Sequence, residues 1–147
     1  MFKKIIIGFS ALVLLLFVIA AFQPSTYTVQ RAISIQAPPE KVVTLISDFR
    51  NWPQWSPWNN IGAARMEVLS QTPTNISVKL EFPGESAKPS LMEFWVQPQD
   101  GGTTVRWSMN GEVDFTGKIM NMLISMDRAL GPAFENGLAK MKVAAEK

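Results

Sequence analysis

The stretch "VQRAISIQAPPEKVVTLISDFRNWPQWSPW", Val29 to Trp58, decides the fold. It opens on alternation, turns to helical spacing after two prolines, and ends in a prolyl loop that holds three tryptophans. Extended back to Tyr27, the alternation puts Tyr27, Val29, Ile33 and Ile35 on one face, the period of a half-buried strand. Arg31 falls on that same apolar face and is its exception. Pro38 and Pro39 suit a helix N-terminus, where a missing N–H costs little, and Val42, Val43, Leu45, Ile46 and Phe49 follow as one short amphipathic helix. Trp52, Trp55 and Trp58 then stand three residues apart, with Pro53 and Pro57 between them. A packing role has the rings folded under the end of a sheet, each indole N–H meeting a backbone carbonyl. A ligand role has at least Trp58 at the mouth of a cavity. Packing is favoured, because indoles so spaced in a turn serve packing more often than recognition.

Downstream the alternation returns four times. "ARMEVL", "NISVKLEF", "LMEFWVQ" and "TTVRWSMN" read as strands, with Ile76, Val78, Leu80, Phe82, Met92, Phe94, Val96, Val105, Trp107 and Met109 facing inward. "QTPT", "PGESAKP" and "QDGG" are the turns between them. Successive strands without intervening helices predict an antiparallel meander. Trp95 points away from the core by the same alternation. From Gly117 to Lys147 the period changes: Ile119, Leu123, Met126, Leu130, Phe134, Leu138 and Met141 mark the stripe of one long amphipathic helix. Asp114 or Thr116 can cap its start, and Gly131–Pro132 predicts a kink within it.

Upstream, "IIIGFSALVLLLFVIAAF" from Ile5 to Phe22 carries no charge and spans about 27 Å as a helix, close to the thickness of a bilayer core. Lys3 and Lys4 precede it, which keeps that end cytoplasmic by the positive-inside rule and puts the rest outside the cytoplasm, as in a bacterial inner membrane facing the periplasm. A cleaved signal peptide is the competing reading, with Val18 and Ala20 before a cut, but the apolar run is longer than an ordinary signal core. The organisation expected is therefore an anchor over residues 1–23 and one domain over 24–147. Tyr27, the single tyrosine, begins the first strand beside the membrane and fits an interfacial anchor better than a catalytic phenol.

The composition narrows the chemistry. The chain has 147 residues with no cysteine and no histidine, which removes thiol nucleophiles, imidazole bases and the commonest zinc ligands. Neither a metal nor a cofactor is expected. The net charge of +2 resides in Lys3 and Lys4, since 14 − 2 leaves 12 basic against 12 acidic residues. A neutral domain argues against nucleic acid, which demands a basic face.

The strings "VQRAISIQAPPEKVVTLISDFRNWPQWSPW" and "GGTTVRWSMNGEVDFTGKIMNMLISMDRALGPAFENGLAKMK", with the order of elements, resemble the SRPBCC superfamily (START-like, Bet v 1-like), in its polyketide cyclase/dehydrase-like branch with an N-terminal membrane segment. The resemblance implies an α+β helix-grip fold: an antiparallel sheet wrapped on a long C-terminal helix, with an apolar cavity between them for a lipid-like, polyketide-like or aromatic ligand. One departure stands out. The branch usually continues after "WSPW" with a further β-hairpin, whereas only "NNIGA" precedes "ARMEVL" here. If the strand order follows the superfamily, a sheet of about five strands results, with an exposed edge along "ARMEVL" and one cavity wall missing. A second copy adding strands there is the homodimer that this edge would allow.

The ligand-contact candidates are Arg31, Trp58, Phe82, Met92, Phe94, Trp107, Met109, Met120 and Leu123. Arg31 could hold a ligand carboxylate as a bidentate donor, or could pair with Asp or Glu of the chain. The methionines, Met122 and Met126 among them, could form a pliable wall, against the plainer reading as helix-on-sheet core. Asp48, Glu112 and Asp114 form no acid–base pair at a defined spacing, and Asp48 and Asp114 lie at helix ends. The expected function is binding of a hydrophobic small molecule by a membrane-anchored domain, without catalysis. The alternatives are a polyketide cyclase/dehydrase-type enzyme and a protein-interaction module that uses the open edge.

Overall fold

The computed structural model describes residues 1–58, 64–84 and 87–147. Helix α1 (Phe2–Phe22) leads through Gln23–Ser25 into strand β1 (Thr26–Ile35), and α2 (Pro39–Ser47) follows. Pro39 occupies the first turn of α2, and Val42, Leu45 and Ile46 are its buried face. Asp48 ends α2 and accepts a hydrogen bond from the Arg50 N–H at 3.0 Å, which starts a 3-10 turn over Phe49–Gln54. Strands β2 (Arg65–Gln71), β3 (Asn75–Glu81), β4 (Ser90–Gln99) and β5 (Gly102–Glu112) form the expected meander.

The five strands form one antiparallel sheet in the order β1-β5-β4-β3-β2. Register sets the inner face: Arg31 lies opposite Trp107, Trp107 opposite Phe94, and Met109 opposite both Val29 and Met92. On β3 and β4 burial alternates residue by residue, so Ile76, Val78, Leu80, Met92, Phe94 and Val96 are all inside. Trp95 lies on the outer face, with the Arg106 guanidinium 5.5 Å from its ring centre. Strand β2 is the outer edge expected of a sheet short of one hairpin, and most of its residues are exposed.

The C-terminal segment corrects the expectation of one long helix from Gly117 to Lys147. It is two helices, α3 (Phe115–Leu123) and α4 (Met126–Ala145), and the break falls at Ile124–Ser125, ahead of Gly131–Pro132. The cause is local capping. Ser125 accepts from the Arg128 N–H at 3.3 Å, and the Asn121 side chain accepts from the Met126 N–H at 2.8 Å, so the donors at the start of α4 are met by side chains. Asp114 caps α3 through the Gly117 N–H at 2.7 Å. Pro132 sits within α4, which continues through it as one helix. Helix α4 packs across β1, and its buried residues Phe134, Leu138, Met141 and Ala145 close the core against the sheet.

Candidate functional site

The space between sheet and helix is filled from the tryptophan loop. The Trp52 indole donates to the Ile46 carbonyl at 2.8 Å and the Trp55 indole to the Leu45 carbonyl at 2.9 Å, which ties both rings to the last turn of α2. Both are buried, and their polar atoms are matched as burial requires. Around them Trp55 meets Trp107 edge-on, Phe94 stacks on Trp107 at 5.2 Å, and Phe134 of α4 stacks on Trp107 at 4.1 Å. Trp58 is half-buried and stands edge-on to Trp107 and Phe134. The close approach of α4 depends on Gly137, where a Cβ would lie 3.1 Å from Trp107 Cζ3 and 3.0 Å from Pro57 Cδ. Trp107 Nε1 is buried without a hydrogen-bond partner among the described residues.

This packing distributes the ligand-contact candidates into four settings. Met92, Phe94, Trp107 and Met109 are in the closed core, with Trp58 over one end of it. Arg31 lies against α4, where it donates to Asp127 at 2.7 and 3.1 Å and to Glu135 at 2.8 Å. These bonds, that of Asp127 foremost, hold the guanidinium above its usual range and the Asp127 carboxyl below its own. A Cβ at Gly131 would fall 2.1 Å from Arg31 Nη2, so the guanidinium occupies the space that a side chain would take there. Met120 and Leu123 are exposed on α3. Phe82 lines an open groove.

That groove, about 280 Å3, runs between the sheet end and the start of the C-terminal helices, and is lined by Tyr27, Phe82, Ser90, Val113, Gly117 and Met126 with the exposed Lys88–Glu112 ion pair. The Tyr27 and Ser90 hydroxyls are 3.0 Å apart, and the phenol also donates to Met109 Sδ at 3.7 Å. The Tyr27 ring lies on the Gly111 backbone, where a Cβ would come within 2.5 Å of it. On the other side of Tyr27 a second groove of about 400 Å3 runs past Thr28, Pro89 and Leu91. Tyr27 and Ser90 were not among the ligand-contact candidates. The signal for Ser90 was its position two residues before Met92, on the inward phase of β4, at an otherwise apolar level.

A sheet of this order gripping a terminal helix is matched elsewhere. The family model described as "Polyketide cyclase / dehydrase and lipid transport" matches residues 26–84, which take in β1, α2, the tryptophan loop, β2 and β3. Over those residues the chain is similar to that family, in keeping with the SRPBCC resemblance of its sequence. Among solved structures of similar fold, protein CV1439 from Chromobacterium violaceum is 16% identical with a TM-score of 0.61, covering 85% of this chain and 99% of that one. Protein MLL2253 from Mesorhizobium loti is 15% identical with a TM-score of 0.64, over 80% of this chain and 96% of its own. The di-domain ARO/CYC StfQ from the steffimycin biosynthetic pathway is 11% identical with a TM-score of 0.64, over 82% of this chain and 51% of that chain. Such identities speak for the fold alone. No curated protein matches the sequence.

Proposed function

We propose that this is a membrane-anchored START-like domain that binds a hydrophobic small molecule, without catalysis, in the groove beside Tyr27. The observation that carries the reading is the Tyr27–Ser90 hydroxyl pair set among Phe82, Val113 and Met126. Lys88, Glu112 and Asp114 line the same groove, and apolar walls with a few convergent polar groups are the usual make-up of a small-molecule site. It suits an apolar molecule that bears a hydroxyl or carbonyl group. Phe82 then contacts the ligand and Met109 lies behind Tyr27, while Met92, Phe94, Trp107 and Trp58 form the rigid floor from which these residues are held. Met120 and Leu123 stand on the neighbouring helix, and Arg31 serves the α4 contact.

The cyclase reading needs a free acid or base at the groove. Glu112 is paired with Lys88 and Asp114 is occupied as the α3 cap, which favours binding over turnover. The anchor reading of α1 rests on its 21 apolar-rich residues, of which Ala20 is the buried one, and places the domain on the far side of the membrane from Lys3 and Lys4.

Native mass spectrometry of the full chain released gently in detergent tests the proposal. An apolar small molecule that leaves with the parent protein, and binds the Ser90→Ala variant about two- to tenfold more weakly for the lost hydrogen bond, supports it. A ligand recovered chemically altered after incubation would overturn the non-catalytic reading in favour of the cyclase.

A further inference from the structure

Helix α3 is apolar and yet contributes nothing to the core. From Phe115 to Ile124 its one charged residue is Lys118, but no residue of α3 is buried. At 100° per residue Phe115, Ile119, Leu123 and Met120 fall within an arc of about 140° that also holds Thr116, with Gly117, Asn121, Lys118 and Met122 on the other side. Asn121 is turned toward α4 by its bond to the Met126 N–H, so the polar side faces the domain and the apolar arc faces out. Phe115, Met120, Leu123 and Ile124 are 42%, 55%, 73% and 56% exposed.

What covers this arc is indicated by α1. Helix α3 packs on α1, and the rings of Phe17 and Phe115 stack at 5.6 Å. The chain just after α1 is tied to the chain just before α3, the Val113 N–H donating to the Ser25 carbonyl at 2.8 Å. Phe17 lies five residues before the end of α1, so Phe115 sits about 7.5 Å below that end along the helix axis. An amphipathic helix resting in a membrane interface lies about 5–10 Å into the headgroup and acyl boundary, the same depth. The apolar surface of α3 is thus continuous with that of the spanning helix, at the level of the leaflet next to the domain.

We propose that α3 lies in the plane of the membrane that α1 crosses, with Phe115, Met120, Leu123 and Ile124 in the acyl region and Lys118 reaching the headgroups. The domain is then held flush on the bilayer by two contacts, and Gly117 and Met126, which line the groove, sit at the membrane surface. This inference rests on α1 crossing the membrane and is independent of what the groove binds.

The chain has no cysteine, so a single introduced thiol reports one position. A bimane fluorophore on Leu123→Cys, on Leu12→Cys in α1 and on Val143→Cys at the far end of α4 would be read in full-length protein reconstituted in vesicles of phosphatidylcholine and phosphatidylglycerol, with and without acyl-chain doxyl lipid. The expected result is quenching at Leu123 comparable to that at Leu12, with Val143 at the aqueous baseline. Met120→Cys is the second α3 position should the first variant fold poorly, and is expected to behave as Leu123→Cys does. Quenching at Leu12 but not on α3 overturns the proposal and leaves α1 as the membrane contact. No quenching at Leu12 either overturns it together with the membrane reading of α1.

Discussion

The Phe134 ring of α4 stacks on Trp107 of β5 with centroids 4.1 Å apart and planes 28° apart, and this contact joins helix to sheet where a ligand cavity was expected. Removing the Phe134 ring by Phe134→Ala is expected to cost about 3–5 kcal/mol, as for large aromatics in closed cores. Two milder changes separate packing from hydrogen bonding. Trp55→Phe strips the Leu45 carbonyl of its donor, whereas Trp107→Phe removes an N–H that has no partner among the described residues. Chemical denaturation in detergent should show Trp55→Phe as the more destabilising of the two, since a buried donor without an acceptor carries its own desolvation cost.

Gly131 and Arg31 compete for one volume. In the parent protein Gly131→Ala gains helix propensity but drives the guanidinium from Asp127 and Glu135, so the two effects oppose each other. In an Arg31→Ala background only the gain remains, about 0.5–1 kcal/mol. Thermal unfolding of the four proteins as a double-mutant cycle should show Gly131→Ala stabilising the Arg31→Ala chain more than the parent.

Acid should loosen α4 at both ends. The Asp127 carboxyl is held below its ordinary 3.8 by the Arg31 hydrogen bonds, and Glu146 below its ordinary 4.5 by Lys142 and then by the Gln36 N–H. With the folded values depressed, the stabilisation is fully present above the unfolded values and is lost as pH falls through the folded ones. Melting temperatures followed downward from pH 6 should therefore drop more steeply below about pH 4 in the parent than in an Asp127→Asn, Glu146→Gln chain.

The open edge of β2 is expected to stay unpaired. It carries a bulge between Val68 and Ser70 and the charged Arg65 and Glu67, devices that discourage strand addition. Size-exclusion chromatography with light scattering in detergent should return one chain per micelle. A stable two-chain species dissociated by Leu69→Pro would instead favour the interaction module.

The strands were legible because the inner faces of β3 and β4 alternate residue by residue and that of β5 does so up to Trp107, and the role of Trp52 and Trp55 because an indole in a turn must find a carbonyl. The break at Ile124–Ser125 was not, because the apolar period runs through it: Leu123, Met126 and Leu130 keep helical spacing whether or not the helix is continuous. The overlooked signal was Ser125 with Asp127 two residues on, an N-cap followed by an acid in the first turn. The distribution of Met92, Phe94, Trp107 and Met109 into a closed core was also beyond the periodicity. Alternation assigns a face, but whether that face meets a cavity or a tryptophan depends on where the loop folds back, which is a tertiary outcome.

Tyr27 connects the groove to the sheet, and its ring can be displaced from beneath without touching the ligand. A Cβ at Gly111 would come within 2.5 Å of the Tyr27 ring, whereas the ring itself is half-buried and has the groove on one side to move into. Gly111→Ala should therefore tilt the phenol into the groove and break its bond to Ser90, at the cost of a crowded but folded chain. Tyr27→Phe removes the same bond while leaving the ring in place. If the groove is the binding site, ligand carried by the full chain in native mass spectra should be largely lost in Gly111→Ala and only weakened in Tyr27→Phe. Restoring room by combining Gly111→Ala with Tyr27→Ala should recover part of the loss, because occupancy of the groove and not the hydroxyl is then the limiting factor. Equal ligand content in all of these variants would place the ligand elsewhere.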